Sequence, residues 1–492
     1  VGALPTLSWR SVLGLGLVVA FLFTRSSTAF PDEDGGKPVT VRGELKRVCQ
    51  FDDKGGSVEK WFLVGAVEKE GGGTQTYTAV FEKDKPDLPT GAHITAKGKL
   101  NGSTLSVSSG RDEESVTVNS QPATASVGGS ISVTAIIVNF PGYTQGCTPG
   151  DVTWMLNSAP NCLAQYYPAA SNGRFSVSAT CKGPVTVPYS SDTWAVAAAA
   201  DQAANVSSGY RMYILPDIGW GWAGLGELGG KRTWINTLTG WMLVYTHEIG
   251  HNLGMHHAGS GWGGEYGDHS CTMGNPGVPP LLNGPHKVQM GWATATSIST
   301  NGTYTYTLTN LESATGTQVL KLPKTDTGES YYVSFRAPIG LDASNLGSGY
   351  HYTTAVHHWY GGMGVTWMDT LLGDGQTFSD GNNGVTITQL SHDGVSSTVQ
   401  VVLQANARPV ASITPSNSRG KAPLTITFNG GASYDPDGVI VGWTWYLPDG
   451  TTVTGTNQVT HTFTTSGTYS LTLIVTDDRG LTGSATAKVR VR

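Results

Sequence analysis

Apolar and polar residues alternate in short runs along most of this chain, and Gly- or Pro-containing breaks separate the runs. Residues 131–138, bounded by Gly-Gly and Pro-Gly, have the period of two expected of a first strand, and 210–215 read as a later one. Between them Asp151 is placed to cap a helix carrying Val152, Trp154, Met155 and Leu156, and residues 193–204 have the Ala-rich composition of a second helix. Strands alternating with helices predict an α/β unit over 119–300. Before it, residues 30–118 carry most of the charge runs and short strands such as 61–64 and 93–96, which predict a small β-rich unit. After it, alternating runs such as 303–308 and 331–335 recur between Gly-rich turns and predict a β-sandwich over 301–405. A last unit is expected over 406–492, with strand runs at 424–428 and 469–478 and a turn at 434–438.

One segment breaks the alternation. Trp241, Met242, Leu243, Val244 and Tyr245 supply apolar turns of a helix that Thr237 or Thr239 is placed to cap, and this helix runs into His247, Glu248 and His251. His247 and His251 are one turn apart on one helix face, so their imidazoles can take two corners of a tetrahedron around zinc. Glu248, beside the first ligand, can act on a water that the metal acidifies without being a ligand itself. Gly254 permits the left-handed backbone that ends the helix, so that His257 returns as third ligand from another direction. His-Glu-x-x-His alone arises by chance on ordinary helices; a Gly and a third His at fixed offsets make coincidence rare. His256 lies at the wrong offset for a ligand. His269 is read as a solvated loop residue, with a hydrogen bond near the site as the alternative, and His351, His357 and His358 as structural.

The extended motif resembles the metzincin signature, with Ser270-Cys271-Thr272-Met273-Gly274 similar to the turn whose methionine, here Met273, floors the metal site. Within that group, Ala258-Gly259, the run 265–274 and the run 283–292 resemble the gametolysin family across roughly residues 125–400. Some members of that family begin the motif with Gln, whereas His247 gives the three-His form. The resemblance implies a secreted zinc endopeptidase acting on proline- and hydroxyproline-rich glycoproteins of cell wall or extracellular matrix, with Glu248 as general base and acid. The last unit resembles a PKD domain, an immunoglobulin-like sandwich that often serves attachment to matrix proteins or polysaccharides, with a passive spacer as the alternative. It departs from the usual Trp-x-Phe-Gly-Asp-Gly at Trp445-Tyr446-Leu447-Pro448-Asp449-Gly450. The rival reading is a matrix adhesion protein with a silent metal site, binding through its sandwiches.

The N-terminus adds a compartment. Arg10, an apolar run over 12–23 and Ser27-Thr28-Ala29 predict a signal peptide over 1–29 cleaved after Ala29, since a dozen apolar residues are too few to cross a bilayer. No second run of spanning length occurs, so no membrane span is expected in the mature chain. Secretion makes the five cysteines informative. Cys147, Cys162, Cys181 and Cys271 could form two disulfides, in a pairing the sequence does not reveal. Cys49 is left over in the N-terminal unit, read as a propeptide, where its thiolate is a candidate for the fourth zinc position in a latent zymogen. Its surroundings, Arg47-Val48-Cys49-Gln50, lack the Pro-Arg-Cys-Gly pattern of matrix metalloproteases, and the alternative is an incidental or intermolecularly paired thiol.

With 492 residues, 66 Gly, 24 Pro and only 13% charged residues, the chain fits a multidomain extracellular protein. A net charge of −6 without a Lys/Arg cluster argues against nucleic acid and anionic membrane as partners and leaves protein substrates. Asn101, Asn205 and Asn301 open glycan acceptor patterns. The run 219–226 is read either as the sheet edge to which an extended substrate adds or as a glycine-rich loop with buried Trp. Calcium binding and oligomeric state are not readable from the sequence.

Overall fold

The structure is a computed structural model that describes residues 36–51, 57–67, 74–82, 85–108, 115–120, 127–236, 242–404 and 406–492. The expected signal peptide and the capping threonines Thr237 and Thr239 lie outside the described residues.

The N-terminal unit is a ring of five strands, Lys37–Phe51, Ser57–Val67, Gln75–Phe81, Thr104–Val107 and His93–Asn101, the last pairing back onto the first. Alternate residues fill its interior, among them Val41, Leu45, Leu63, Ile94, Leu105 and Val107. The far end of Lys37–Phe51 leaves this ring and pairs antiparallel with Gly224–Glu227. The sheet continues through Arg232–Ile235, Tyr210–Ile214 and Gly129–Asn139 to Phe175–Thr186, the last four strands running parallel.

Both faces of Gly129–Asn139, one strand in from the end of the sheet, are covered. Val133, Ala135 and Ile137 join one apolar cluster with Val152, Leu156, Tyr166, Tyr167 and Val244, while Ile136 and Val138 join another with Val196, Ala197 and Ala200. Burial on both sides explains why its apolar residues become consecutive at 135–138, the habit of a strand flanked by helices. Helix Pro149–Asn157 differs from expectation in its cap: Thr148 is the N-cap, and Asp151 sits at the third position, returning a hydrogen bond to the Thr148 backbone. This reciprocal box satisfies two end donors where a cap at 151 would have shortened the helix by a turn. Helix Thr193–Ala203 is capped by Asp192.

No disulfide forms: all five cysteines are free thiols, which corrects the expected pairs. Cys147, Cys162 and Cys271 sit as small side chains inside the main apolar cluster, so burial supplies the bracing expected of covalent links.

Past residue 300, a sheet of Gly302–Thr309, Ser396–Leu403, Val385–His392 and Thr377–Asp380 faces a six-stranded one. The six-stranded sheet begins at Ala295–Ser297 and ends with Ala258–Ser260 paired in parallel to residues 366–368, so it crosses the boundary expected at 300. The interior holds Leu308, Leu322, Val333, Val356, Ile387 and Val401. Residues 406–492 form two further sheets around Ile426, Phe428, Trp445, Leu473 and Val475. Asn101, Asn205 and Asn301 are exposed. No helix among the described residues is long and apolar enough to cross a membrane.

Candidate metal centre

Helix Met242–Asn252 is buried along its whole length. Its repeat brings the rings of His247 and His251 to 4.7 Å centroid separation. Gly254 takes φ +98°, and its amide hydrogen-bonds the His251 carbonyl while that of Met255 bonds to Gly250, which closes the helix end. The chain then turns back and sets the His257 ring 4.8 Å from His251 and 5.5 Å from His247. One ring nitrogen from each of the three lies within 4.8 Å of the others.

The other ring nitrogen of each histidine is tethered. Nδ1 of His247 donates to the Thr272 carbonyl at 2.9 Å, Nδ1 of His251 to the Met255 carbonyl at 2.8 Å, and Nδ1 of His257 to Glu265 Oε1 at 2.6 Å. Carbonyl and carboxylate oxygens only accept, so each Nδ1 carries the hydrogen and each Nε2 offers a lone pair toward the common centre. Burial, followed by mutual repulsion, pushes His247 and His251 well below the usual histidine range, and burial brings His257 down to about 4. Neutral imidazoles are the form that binds a metal. Nε2 of His251 and of His257, and both carboxylate oxygens of Glu248, are buried without a hydrogen-bond partner in the protein. An apolar core would not strand such groups, whereas a divalent cation and its solvent ligand would use them, so the donor set fits a metal. Burial alone pushes the Glu248 carboxyl well up, and a neighbouring cation acts in the opposite direction.

Met273 is buried beneath the helix, where Gly250 leaves room for its sulfur. The loop between His257 and Met273 is tied at both ends, by Ala258 N to the Met273 carbonyl at 2.9 Å and by Asp268 N to the Ala258 carbonyl at 3.0 Å. Tyr266 packs on His257 with ring centroids 4.2 Å apart.

The N-terminal unit forms the opposite wall. Cys49 is buried directly across the ladder from Gly226, with its sulfur 3.9 Å from His256 Nε2, and it clusters with His256 and His257. His256 Nδ1 accepts from the His257 amide at 2.7 Å, which leaves Nε2–H facing Cys49 and Glu59. Glu59 pairs with Arg47 at 2.7 Å, and Arg47 lies over the Trp61 ring at 4.3 Å. Burial would raise the Glu59 carboxyl, but His256 and Arg47 hold it well below the usual carboxylate range.

Of the other histidines, His269 is exposed, and its neighbour Asp268 is the buried one, paired with His357 at 3.0 Å. His358 pairs with Asp369 at 2.9 Å, and His351 bonds a backbone carbonyl. Within 219–226 only the end is a strand, Gly224–Glu227, and Trp222 is buried. Sequence reasoning assigned no role to Glu265, Glu59 or Asp268. The only signal for Glu265 was its place in the run of residues shared with relatives.

Three converging imidazoles and a buried, unpartnered carboxylate are a donor set that a metal-dependent hydrolase would use. Residues 132–370 match the gametolysin peptidase M11 family, and residues 406–492 match the PKD domain family. A microbial collagenase of Vibrio alginolyticus is 46% identical over 90 residues, 18% of this chain and 11% of the collagenase, so the chain spans only a small part of that relative. Among solved structures, the PKD1 domain of the Vibrio cholerae metalloprotease PrtV is 32% identical, covering 17% of this chain and 98% of that domain at a TM-score of 0.15. The PKD1 domain of Vibrio anguillarum Epp is 28% identical, covering 18% and 96% at a TM-score of 0.16.

Proposed function

We propose that the chain is a secreted zinc metalloendopeptidase of the metzincin kind, made in latent form and acting on extracellular matrix or cell-wall proteins, proline- and hydroxyproline-rich glycoproteins among them. The observation that carries this reading is the set of tethered imidazoles at 247, 251 and 257 beside the unpartnered carboxylate of Glu248. Three neutral imidazoles are a donor set for catalytic zinc, which when bound would polarise a peptide carbonyl and acidify water. Glu248 takes the water proton and delivers it to the leaving amine, since its carboxylate has no competing partner in the protein.

The strand carrying Cys49 lies along Gly224–Glu227, the edge on which an extended substrate would add as a strand. In this reading Lys37–Phe51 blocks that edge, and the buried thiol guards the metal from the side of His256 and His257. Exposed Asn101, Asn205 and Asn301 are accessible to glycosylation in a secreted chain, and the PKD domain serves attachment to the matrix.

Zinc content and hydrolysis of a proline-rich glycoprotein, measured on the full chain and on Cys49→Ser, test this. Cys49→Ser should be more active than the parent, and adding Glu248→Gln should keep the zinc but lower turnover by about 10²- to 10⁴-fold. A Cys49→Ser chain that binds one zinc and cleaves no protein would instead make this a binding protein.

A further inference from the structure

Gly224 and Gly226 lie on the strand packed against the metal helix, and neither has the left-handed backbone that usually demands glycine. Space explains them instead. A Cβ on Gly224 would stand 2.5 Å from Glu248 Oε1, 2.7 Å from its Cγ and 2.8 Å from its Cδ. A Cβ on Gly226 would stand 2.8 Å from the Glu248 carbonyl oxygen, 2.8 Å from His251 Cβ and 2.9 Å from Glu248 Oε2. Carbon contacts are comfortable only at about 3.5–4.0 Å, so either methyl group must displace something. At 224 the neighbours are all side-chain atoms of Glu248. At 226 they include helix backbone and the stem of a metal ligand. Leu225, between them, points the other way, into the cluster of Val48, Tyr213, Trp222 and Trp234.

We propose that Gly224 and Gly226 are positioning residues, whose missing side chains form the slot that holds the Glu248 carboxylate beside the ligand nitrogens and seats His251. The inference rests on the peptidase reading for its kinetic part only. The ladder adds a second consequence. Directly paired residues of antiparallel strands share a face, so Cys49 projects over the bare Gly226 toward the helix and there meets His256.

The test uses the full chain carrying Cys49→Ser as parent, with Gly224→Ala, Gly226→Ala and Leu225→Ala compared by metal affinity in chelator competition, thermal melting, kcat and KM. Gly224→Ala should keep the parent's metal affinity and KM within about threefold while kcat falls at least about 100-fold, the scale of a misplaced catalytic group. Gly226→Ala should also weaken metal binding at least about tenfold, because it moves a ligand. Leu225→Ala, whose side chain points away from the helix, should melt earlier with the parent's metal affinity unchanged. Parental kcat in Gly224→Ala, or metal loss equal in the two glycine variants, overturns the inference. If Gly224→Ala does not fold, adding Glu248→Ala should restore the parent's melting and metal content, and a double variant that stays unfolded overturns the slot. If the parent itself cleaves nothing, the peptidase reading fails, and the metal affinities still decide between slot and no slot.

Discussion

Replacing Asp268 with Asn should loosen the metal centre without touching a ligand. Asp268 is fully buried, and its carboxylate takes four hydrogen bonds: from Ser270 N at 2.9 Å, Ser270 Oγ at 2.6 Å, Asn283 Nδ2 at 3.0 Å and His357 Nε2 at 3.0 Å. Burial pushes the carboxyl up, but His357, then Ser270 and Asn283, more than offset it and bring it down to about 2. Lowering it from an ordinary 3.8 stabilises the folded state by on the order of 2–3 kcal/mol at neutral pH. Asn keeps the shape but turns one acceptor into a donor facing donors, so the full loss should reach about 3–5 kcal/mol, the range for breaking a buried pair. Because the loop from Ala258 to Met273 hangs on this carboxylate, metal affinity should fall as well.

The pH dependence has a definite sign. A carboxyl whose folded value lies below its unfolded value contributes fully above about pH 4, and its contribution disappears as pH falls toward 2. Urea unfolding of parent and Asp268→Asn, followed by tryptophan fluorescence between pH 7 and pH 3, should show a gap that is widest at neutral pH and narrows on acidification. A gap under about 1 kcal/mol at pH 7, or one that widens as the solution is acidified, would refute the reasoning.

Glu265→Gln should lower metal affinity by about 10- to 100-fold, because His257 loses the anion that orients its ring; chelator competition reads this, and unchanged affinity would show that the tether is dispensable. Gly250→Ala drives a methyl group into the Met273 sulfur and should destabilise the chain by about 1–3 kcal/mol. That loss should shrink when Met273→Ala is added, and a purely additive pair speaks against the contact. Lys287→Met strands the Glu312 carboxylate, which the lysine now meets at 3.2 Å with both groups buried, and should cost about 3–5 kcal/mol in denaturant titration. Adding Glu312→Leu should recover most of it.

The helix carrying His247 and His251 and its turn back to His257 were legible because one helical repeat and one glycine set that geometry within 247–257. The two-faced strand Gly129–Asn139 and the helix Thr193–Ala203 were legible for the same reason, since period and composition act over a few residues. What surrounds the site depends on partners far apart in the chain. His357 reaches Asp268 across 89 positions, and Val48 pairs with Glu227 from another unit altogether. The thiols show the same limit: an odd count could be read, but whether two sulfurs meet depends on how the core packs.

The run 219–226 was hard to read for a related reason. Glycine contributes nothing to an apolar period, so a four-residue strand with glycine at every second position looks like a loop. Yet the side of that strand left bare by Gly224 and Gly226 is the side that faces Glu248 and His251. A strand with ordinary residues there would have been legible as a strand, but it would have had no room for the carboxylate.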